Sequence, residues 1–169
     1  MLIDTHCHLD AAEFDADRDN VAMLALQQGV SSIVIPAVAC DNFDSVIALC
    51  HQHQHCVYAL GIHPMYVDKA RLSDIETLKS YIEKNNPLAI GEIGLDYFVT
   101  KSNIELQTYF FTEQLKLAKK YDLPVILHVR NAIDDVLKYL RRFEIRSGIA
   151  HAFNGSFQQA EQFIALGFK

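Results

Sequence analysis

Residues 88–97 have the sequence LAIGEIGLDY, and this stretch does most to decide which fold the chain adopts. The run from Leu88 to Ile93 is short, apolar and without the polar alternation of a half-exposed strand, so it predicts a parallel strand that is buried on both faces. Glu92 interrupts the run. Because an unpaired carboxylate is costly to bury, Glu92 is expected either to bind a metal ion or to pair with a basic residue. Apart from Arg130, the nearby predicted strands contain no basic residue, so metal binding by Glu92 is favoured over an ion pair.

Similar apolar runs lie on both sides of this stretch, and amphipathic segments separate them. The other predicted strands are Leu2–Thr5, Ser32–Val38, Val57–Ile62, Val125–Val129 and Gly148–Ala152. The predicted helices are Asn20–Gln28, Phe43–His51, Ser73–Lys84, Ile104–Tyr121, Ala132–Arg142 and Ser156–Leu166. Local signals support several helix ends. Gly29 is expected to end the first helix, Asn42 or Asp41 to cap the second, and Ser73 with Glu76 to form a capping box.

A strand followed by a helix, repeated six times, predicts a parallel α/β fold. The alternatives are an open doubly wound sheet and a TIM-type (β/α)₈ barrel. The first strand is not followed by a GxGxxG or Walker glycine loop, which weakens the nucleotide-binding version of the open sheet. Polar residues cluster instead at the C-terminal ends of the strands, as a barrel active site requires. We therefore predict a single domain over residues 1–169 that contains about six β/α units of such a barrel.

Composition narrows the function classes. The net charge of -6 argues against a general nucleic-acid coat, which needs a basic stripe, but it does not exclude a nucleic-acid enzyme that binds metal cations. The four cysteines form no CxxC pair, the N-terminus has no signal peptide, and no apolar run is long enough to span a membrane. A cytoplasmic protein with reduced thiols and no membrane partner is expected.

Candidate metal ligands recur where the predicted strands end. His6 and His8 are two residues apart at the end of the first strand, and such a pair alone is equally compatible with a shared metal and with two unrelated histidines. His63 ends the third strand before a proline, and alone it would be taken for a loop histidine. His128 and His151 follow apolar residues in the fifth and sixth strands.

Five of the six strands thus end in His or Glu, and coincidence is an improbable explanation of that repetition. A closed barrel brings these ends to one rim, where imidazoles and a carboxylate can form a metal centre. Asp96 lies further along the fourth strand, and the pattern leaves its role open. A second histidine group, His51, His53 and His55 in HQHQHC, could bind metal as a His-rich tract. A helix end and a solvated loop are favoured there because no carboxylate accompanies the histidines.

Six motifs carry a family resemblance that covers essentially the whole chain. They are DTHCH (4–8), GIHP (61–64), GEIGLDY (91–97), EQLKLAKKYDLPVILH (113–128), ILHVR (126–130) and HAFNGS (151–156). In this order and spacing they resemble the TatD family of metal-dependent hydrolases, and in particular its YjjV-like branch. The resemblance implies a (β/α)₈ barrel that hydrolyses phosphoesters with two divalent ions, which could be zinc, manganese or magnesium. Nucleic acid is the expected substrate, and 3′–5′ exonuclease action on DNA is the expected activity.

The same resemblance implies roles for individual residues. His6, His8 and Glu92 would hold one ion, and Glu92, with His128 and His151, would hold the second. Glu92 would therefore bridge the two ions. His63 would contact the substrate phosphate or transfer a proton, and Arg130 would be a further phosphate contact. Val129 stands where family members commonly have serine, so a polar contact at that point is not expected.

The resemblance also implies two more strands than the chain contains. A seventh would begin around Gly167–Lys169, and an eighth would carry a metal-binding aspartate in an ETDAP-like motif. We therefore expect the chain to be C-terminally incomplete. Two other functions stay open at this point. One is an amidohydrolase-like enzyme that cuts amides, lactones or esters, although Glu92 occupies the position where such a site would have a carbamylated lysine. The other is a metal-binding fragment without catalysis, and the oligomeric state is not predicted.

Overall fold

A computed structural model describes residues 2–98 and 103–169. Within these ranges the chain alternates strands and helices, as predicted. The strands are β1 (Leu2–Asp4), β2 (Val30–Pro36), β3 (Cys56–Leu60), β4 (Ala89–Asp96), β5 (Val125–Arg130) and β6 (Gly148–Ala150). The α-helices are α1 (Arg18–Gln27), α2 (Phe43–Gln52), α3 (Asp74–Asn85), α4 (Ile104–Tyr121), α5 (Ile133–Phe143) and α6 (Phe157–Ala165). Short 3₁₀ turns occupy Ala12–Phe14, Cys40–Asn42 and Pro64–Tyr66.

The strands form one sheet in chain order, and every neighbouring pair is parallel. A helix follows each strand, so the sheet curls as six β/α units of a TIM-type barrel, and the predicted fold class is confirmed. A parallel bridge between Gly148 and Phe168 continues the order beyond β6, at the point where the sequence predicts a seventh strand. In the described part of the chain, no helix has the length and apolar character needed to cross a membrane.

The strands differ in how deeply they are buried. Every residue of β4 is buried, as predicted for a strand covered on both faces. The same prediction is wrong for β1, in which Leu2 and Ile3 are 63% and 57% exposed. The reason is that β1 is the first strand in the sheet order and pairs on one side, with β2. The candidate site is therefore built around the most deeply buried strand of the sheet.

The predicted helix ends are partly correct. Gly29 follows α1 with a φ of +89°, the left-handed conformation that glycine adopts readily after a helix. The capping box at Ser73 is wrong, because its side chain makes no capping hydrogen bond to α3. Neither is Asn42 a side-chain cap of α2. Its Oδ1 accepts from the N–H groups of Val38 and Ala39, so it fixes the turn that follows β2 instead.

Candidate metal centre

The structure brings the five predicted ligands to one end of the sheet. His6 and His8 follow β1, Glu92 lies on β4, His128 lies on β5, and His151 follows β6. Strand β1 ends at Asp4, so the two first histidines lie in the segment beyond the strand rather than on it. Their rings nevertheless converge, with the two Nε2 atoms 3.1 Å apart.

Glu92 is the centre of this arrangement and is 2% exposed. Its Oε2 lies 3.3 Å from His6 Nε2, 3.3 Å from His8 Nε2 and 3.6 Å from His63 Nε2. Its Oε1 lies 3.2 Å from His128 Nδ1. The two carboxylate oxygens therefore face different imidazoles.

The surroundings of Glu92 keep it ionised. Burial acts to raise the pKa of Glu92, but hydrogen bonds from His128, His6, His63 and His8 together hold it well below its ordinary value. A buried carboxylate surrounded by imidazoles and ionised over the whole physiological range is a suitable metal ligand, because ligands must be deprotonated to bind.

Among residues 2–98 and 103–169, two groups of three residues have ligand atoms within 4.8 Å of one another. The first is His6, His8 and Glu92, and the second is His63, Glu92 and His128. In the first group the three donor–donor distances are 3.1, 3.3 and 3.3 Å. Metal–nitrogen bonds of 2.0–2.1 Å imply donor separations of about 3.3 Å in a tetrahedral site. Octahedral bonds of similar length imply about 3.0 Å. The first group therefore fits a divalent ion of either geometry.

The ring of His8 has neighbours outside the first group. The Oδ1 atom of Asp10 lies 3.9 Å from His8 Nδ1, and Asp10 Oδ2 accepts from the side chain of Asn42. The backbone of Pro36 also acts to raise the pKa of His8. Asp10 is not among the predicted site residues, although its two-residue spacing from His8 is a signal that could have indicated it. His6 Nδ1 is buried and has no hydrogen-bond partner among the described residues.

Asp96, whose role the sequence left open, binds a predicted ligand directly. Its Oδ2 lies 2.9 Å from His128 Nε2, and Asp96 is 1% exposed. Burial acts to lower the pKa of His128, but its hydrogen bonds to Glu92 and Asp96 outweigh burial and raise it. The ring of His128 is therefore held between two carboxylates.

His63 is oriented differently from the other histidines. Its Nδ1 accepts a hydrogen bond from the backbone N–H of Met65 at 3.1 Å. Burial lowers the pKa of His63 despite the nearby Glu92, which favours the neutral ring. A neutral ring that accepts at Nδ1 carries its proton at Nε2, the atom that faces Glu92. In this state His63 is a hydrogen-bond donor to the centre rather than a metal ligand.

The two remaining predicted site residues, His151 and Arg130, each lie against an aromatic ring. The ring of His151 stacks on His6, with centroids 3.6 Å apart and planes 8° apart. Among the residues described, neither three-residue group includes His151. The guanidinium of Arg130 lies 3.6 Å over the ring of Phe98, which is 60% exposed. Of the five predicted ligands, His6, His8 and His128 thus lie around the fourth, Glu92. The fifth, His151, lies against His6.

Comparison with known proteins gives consistent results. The family model described as TatD related DNase matches residues 3–169. The "uncharacterized metal-dependent hydrolase YjjV" of Escherichia coli K12 is 44% identical over 99% of this chain and 66% of its own length. The "3'-5' ssDNA/RNA exonuclease TatD" of Erwinia tasmaniensis is 31% identical over 98% of this chain and 65% of its own length. The chain therefore spans about two thirds of the length of these relatives.

A solved structure shows the same architecture. The crystal structure of the TatD homologue YjjV from Escherichia coli K12 matches with a TM-score of 0.94 at 43% identity, and the match covers 99% of this chain and 66% of that one. The similarity of fold therefore includes the strands that carry or precede the candidate ligands.

Proposed function

Because this chain belongs to the TatD related DNase family, we propose that it is a metal-dependent hydrolase that cleaves phosphodiester bonds of nucleic acid as a 3′–5′ exonuclease. The substrate class is supported by a relative at 31% identity that is named a 3'-5' ssDNA/RNA exonuclease. The type of reaction is supported by the centre, which combines a buried anion with several imidazoles, the ligand chemistry of hydrolytic metal sites. The chain spans about two thirds of the length of these relatives. The activity is therefore proposed for the whole protein.

The observation that carries the proposal is the position of Glu92. Its two oxygens face separate imidazole groups, with His6 and His8 on one side and His128 on the other. This is the arrangement expected of a carboxylate that bridges two divalent ions. Such ions, when bound, would act as Lewis acids on the phosphate and lower the pKa of water. Zinc, manganese and magnesium are all candidates, and the imidazole-rich donor set favours a transition metal.

In the proposed site, His6 and His8 with Glu92 would hold the first ion. Glu92 and His128 would hold the second, and His151 would be a further ligand of that ion. His128 is oriented for this role by Asp96, which bonds the ring nitrogen that does not face Glu92. Each imidazole must release its proton before it binds, so the carboxylates that hold the rings also influence when the ions bind.

His63 acts on the substrate in this proposal. The bond from Met65 N–H to Nδ1 keeps the Nε2 proton directed toward the centre. From there the Nε2–H group can donate a hydrogen bond, without transfer of the proton, to a phosphate oxygen on which charge develops. Arg130 is the proposed second phosphate contact. Its guanidinium is fixed on the ring of Phe98, which limits its side-chain freedom before substrate binds.

The test uses a single-stranded oligonucleotide labelled at its 5′ end. With Mg²⁺, Mn²⁺ or Zn²⁺ supplied separately, the purified chain should shorten the strand stepwise from its 3′ end, and a chelator should stop the reaction. Glu92→Gln keeps the side-chain volume and should abolish the activity. His53→Ala changes a histidine outside the centre and should leave it intact. Hydrolysis of lactones or amides in place of the oligonucleotide would favour the amidohydrolase-like alternative. Metal binding without any turnover would favour the non-catalytic one.

A further inference from the structure

Two glutamine side chains are buried on the helix that packs beside the candidate metal centre. Gln107 and Gln114 lie on α4 and are 2% and 0% exposed. Seven residues make about two helical turns, so both side chains project from the same face and are separated by about 10 Å along the axis. A buried amide is destabilising unless its donor and acceptor groups are bonded. These two positions therefore require polar partners in the interior.

Each glutamine binds both polar groups of one backbone residue. Gln114 Oε1 accepts from the N–H of Ile62 at 2.7 Å, and its Nε2 donates to the carbonyl of Ile62 at 3.0 Å. Gln107 bonds Asp96 in the same way, at 2.8 and 3.0 Å. Attachment at two points fixes both the position and the rotation of the backbone. A carboxylate lacks the donor and a thioether lacks both strong groups, so neither can replace the amide.

Both attached residues lie past the point where β3 and β4 pair with each other. The two strands pair at Ala59 with Ala89 and at Leu60 with Ile90. Strand β3 then ends, whereas β4 continues to Asp96. Backbone groups beyond a paired region need other partners when they are buried. The two glutamines supply those partners from the helix.

The attachment points adjoin two different parts of the metal centre. Ile62 directly precedes His63, whose Nε2 lies 3.6 Å from Glu92. Asp96 is the residue whose carboxylate bonds His128 at 2.9 Å. A shift of the backbone at either point would move one of these imidazoles.

We propose that Gln107 and Gln114 are positioning residues that hold the metal centre from α4. Gln114 fixes His63, and Gln107 fixes the Asp96–His128 pair. The role of the centre rests on the proposed function, whereas the attachment itself can be measured without it. The two glutamines are therefore expected to affect different properties of the protein.

The variants are Gln107→Met and Gln114→Met, which keep the volume but remove the amide. Gln107→Leu and Gln114→Leu, which also remove both polar groups of the amide, serve where a Met variant does not fold. Amide hydrogen exchange followed by NMR reports the attachment directly. Each variant should speed exchange at its own backbone residue, Asp96 or Ile62, and leave the other protected. Unchanged protection at both amides would overturn the proposal.

Metal titration and kinetics then separate the two roles. Gln107 variants should weaken binding at the ion site that contains His128 and leave the His6–His8 site unchanged. Gln114 variants should keep the metal content and lower turnover of a single-stranded oligonucleotide, by up to about 100-fold if His63 moves by about 1 Å.

The control is Leu78→Ala on α3, a buried apolar position whose loss lowers the melting temperature without removing either attachment. If both Met variants show only the changes that Leu78→Ala shows at an equal loss of melting temperature, the glutamines merely stabilise the fold and the proposal is wrong. Wild-type chain that binds no metal would refute the proposed function instead. In that case the exchange rates at Ile62 and Asp96 still decide whether the glutamines hold them.

Discussion

Two groups of histidines in this chain have similar composition but different surroundings. At the candidate metal centre, imidazoles from several strand ends converge on Glu92, which is 2% exposed. In the tract His51–His55, each ring has its own partner. His53 bonds Asp19, whose side chain is 83% exposed, and His55 bonds the carbonyl of Ala22. His51 lies edge-on to Tyr58.

The difference shows that a shared buried carboxylate, rather than the number of histidines, defines a candidate metal site. At the candidate centre, the Nε2 atoms of His6 and His8 face each other and Glu92 Oε2, at distances of 3.1 and 3.3 Å. In the tract the histidine rings face separate partners, and the metal-competent groups found among residues 2–98 and 103–169 do not include them. The predicted helix end and loop at HQHQHC is confirmed, because α2 ends at Gln52. No carboxylate accompanies these histidines in the sequence, but Asp19 of α1, 34 residues away, bonds His53 in the folded chain.

The largest expected effect comes from removing the carboxylate. Glu92→Ala should lose most of the bound metal, because Glu92 belongs to both three-residue groups. Elemental analysis of protein purified without chelator measures this, and Glu92→Gln separates loss of charge from loss of volume. Metal content that stays unchanged in Glu92→Ala would refute the bridging model and remove the distinction between the two histidine groups.

Single ligands on opposite sides of Glu92 should have smaller, separable effects. His6→Ala should abolish one binding event in a calorimetric titration and keep the event at the His128 side. His128→Ala should do the reverse. The physical reason is that the two imidazoles face different oxygens of the carboxylate. Identical loss of both events in both variants would indicate one ion shared by all ligands.

The pH dependence of metal affinity is the next test. The pKa of His8 is raised, chiefly by its hydrogen bond to Glu92. In His128, burial opposes the bonds to Glu92 and Asp96, which nevertheless raise the pKa. Both rings therefore keep protons at a pH where a free imidazole, with a pKa of about 6.5, is already neutral. Because a metal ion must displace those protons, affinity should fall as pH falls and should continue to rise above about pH 6.5.

Calorimetry in buffers of different ionisation enthalpy counts the protons released at each pH. Release should persist above neutral pH and disappear once both rings have titrated. An affinity that does not change between mildly acidic and mildly alkaline pH would contradict histidine ligation altogether.

The sequence was sufficient to predict the β/α units of the barrel, because buried strands and their polar ends follow local patterns. It also singled out histidines that the structure places around Glu92, whereas their binding of metal stays a prediction. Strand β4 illustrates this, since one carboxylate in an apolar run was enough to single out Glu92. Contacts between distant residues were not predictable in the same way. The bond from Asp96 to His128 and the attachment of Ile62 by Gln114 depend on how β4, β5 and α4 pack. The stacking of His151 on His6 likewise depends on the curvature of the sheet.

The smallest effect is expected in the second histidine group, His51–His55. It tests whether this tract, like the candidate centre, binds metal. His53→Ala should leave the metal content, the calorimetric binding events and the oligonucleotide turnover unchanged, because its ring nitrogen bonds an exposed carboxylate outside the centre. Loss of this hydrogen bond should cost about 1 kcal/mol in stability. Asp19→Ala removes the other partner of the same pair and should match it in thermal melting. If His53→Ala removed a binding event that Asp19→Ala also removed, the tract would be a metal site in its own right. The buried carboxylate would then no longer be what distinguishes the two groups.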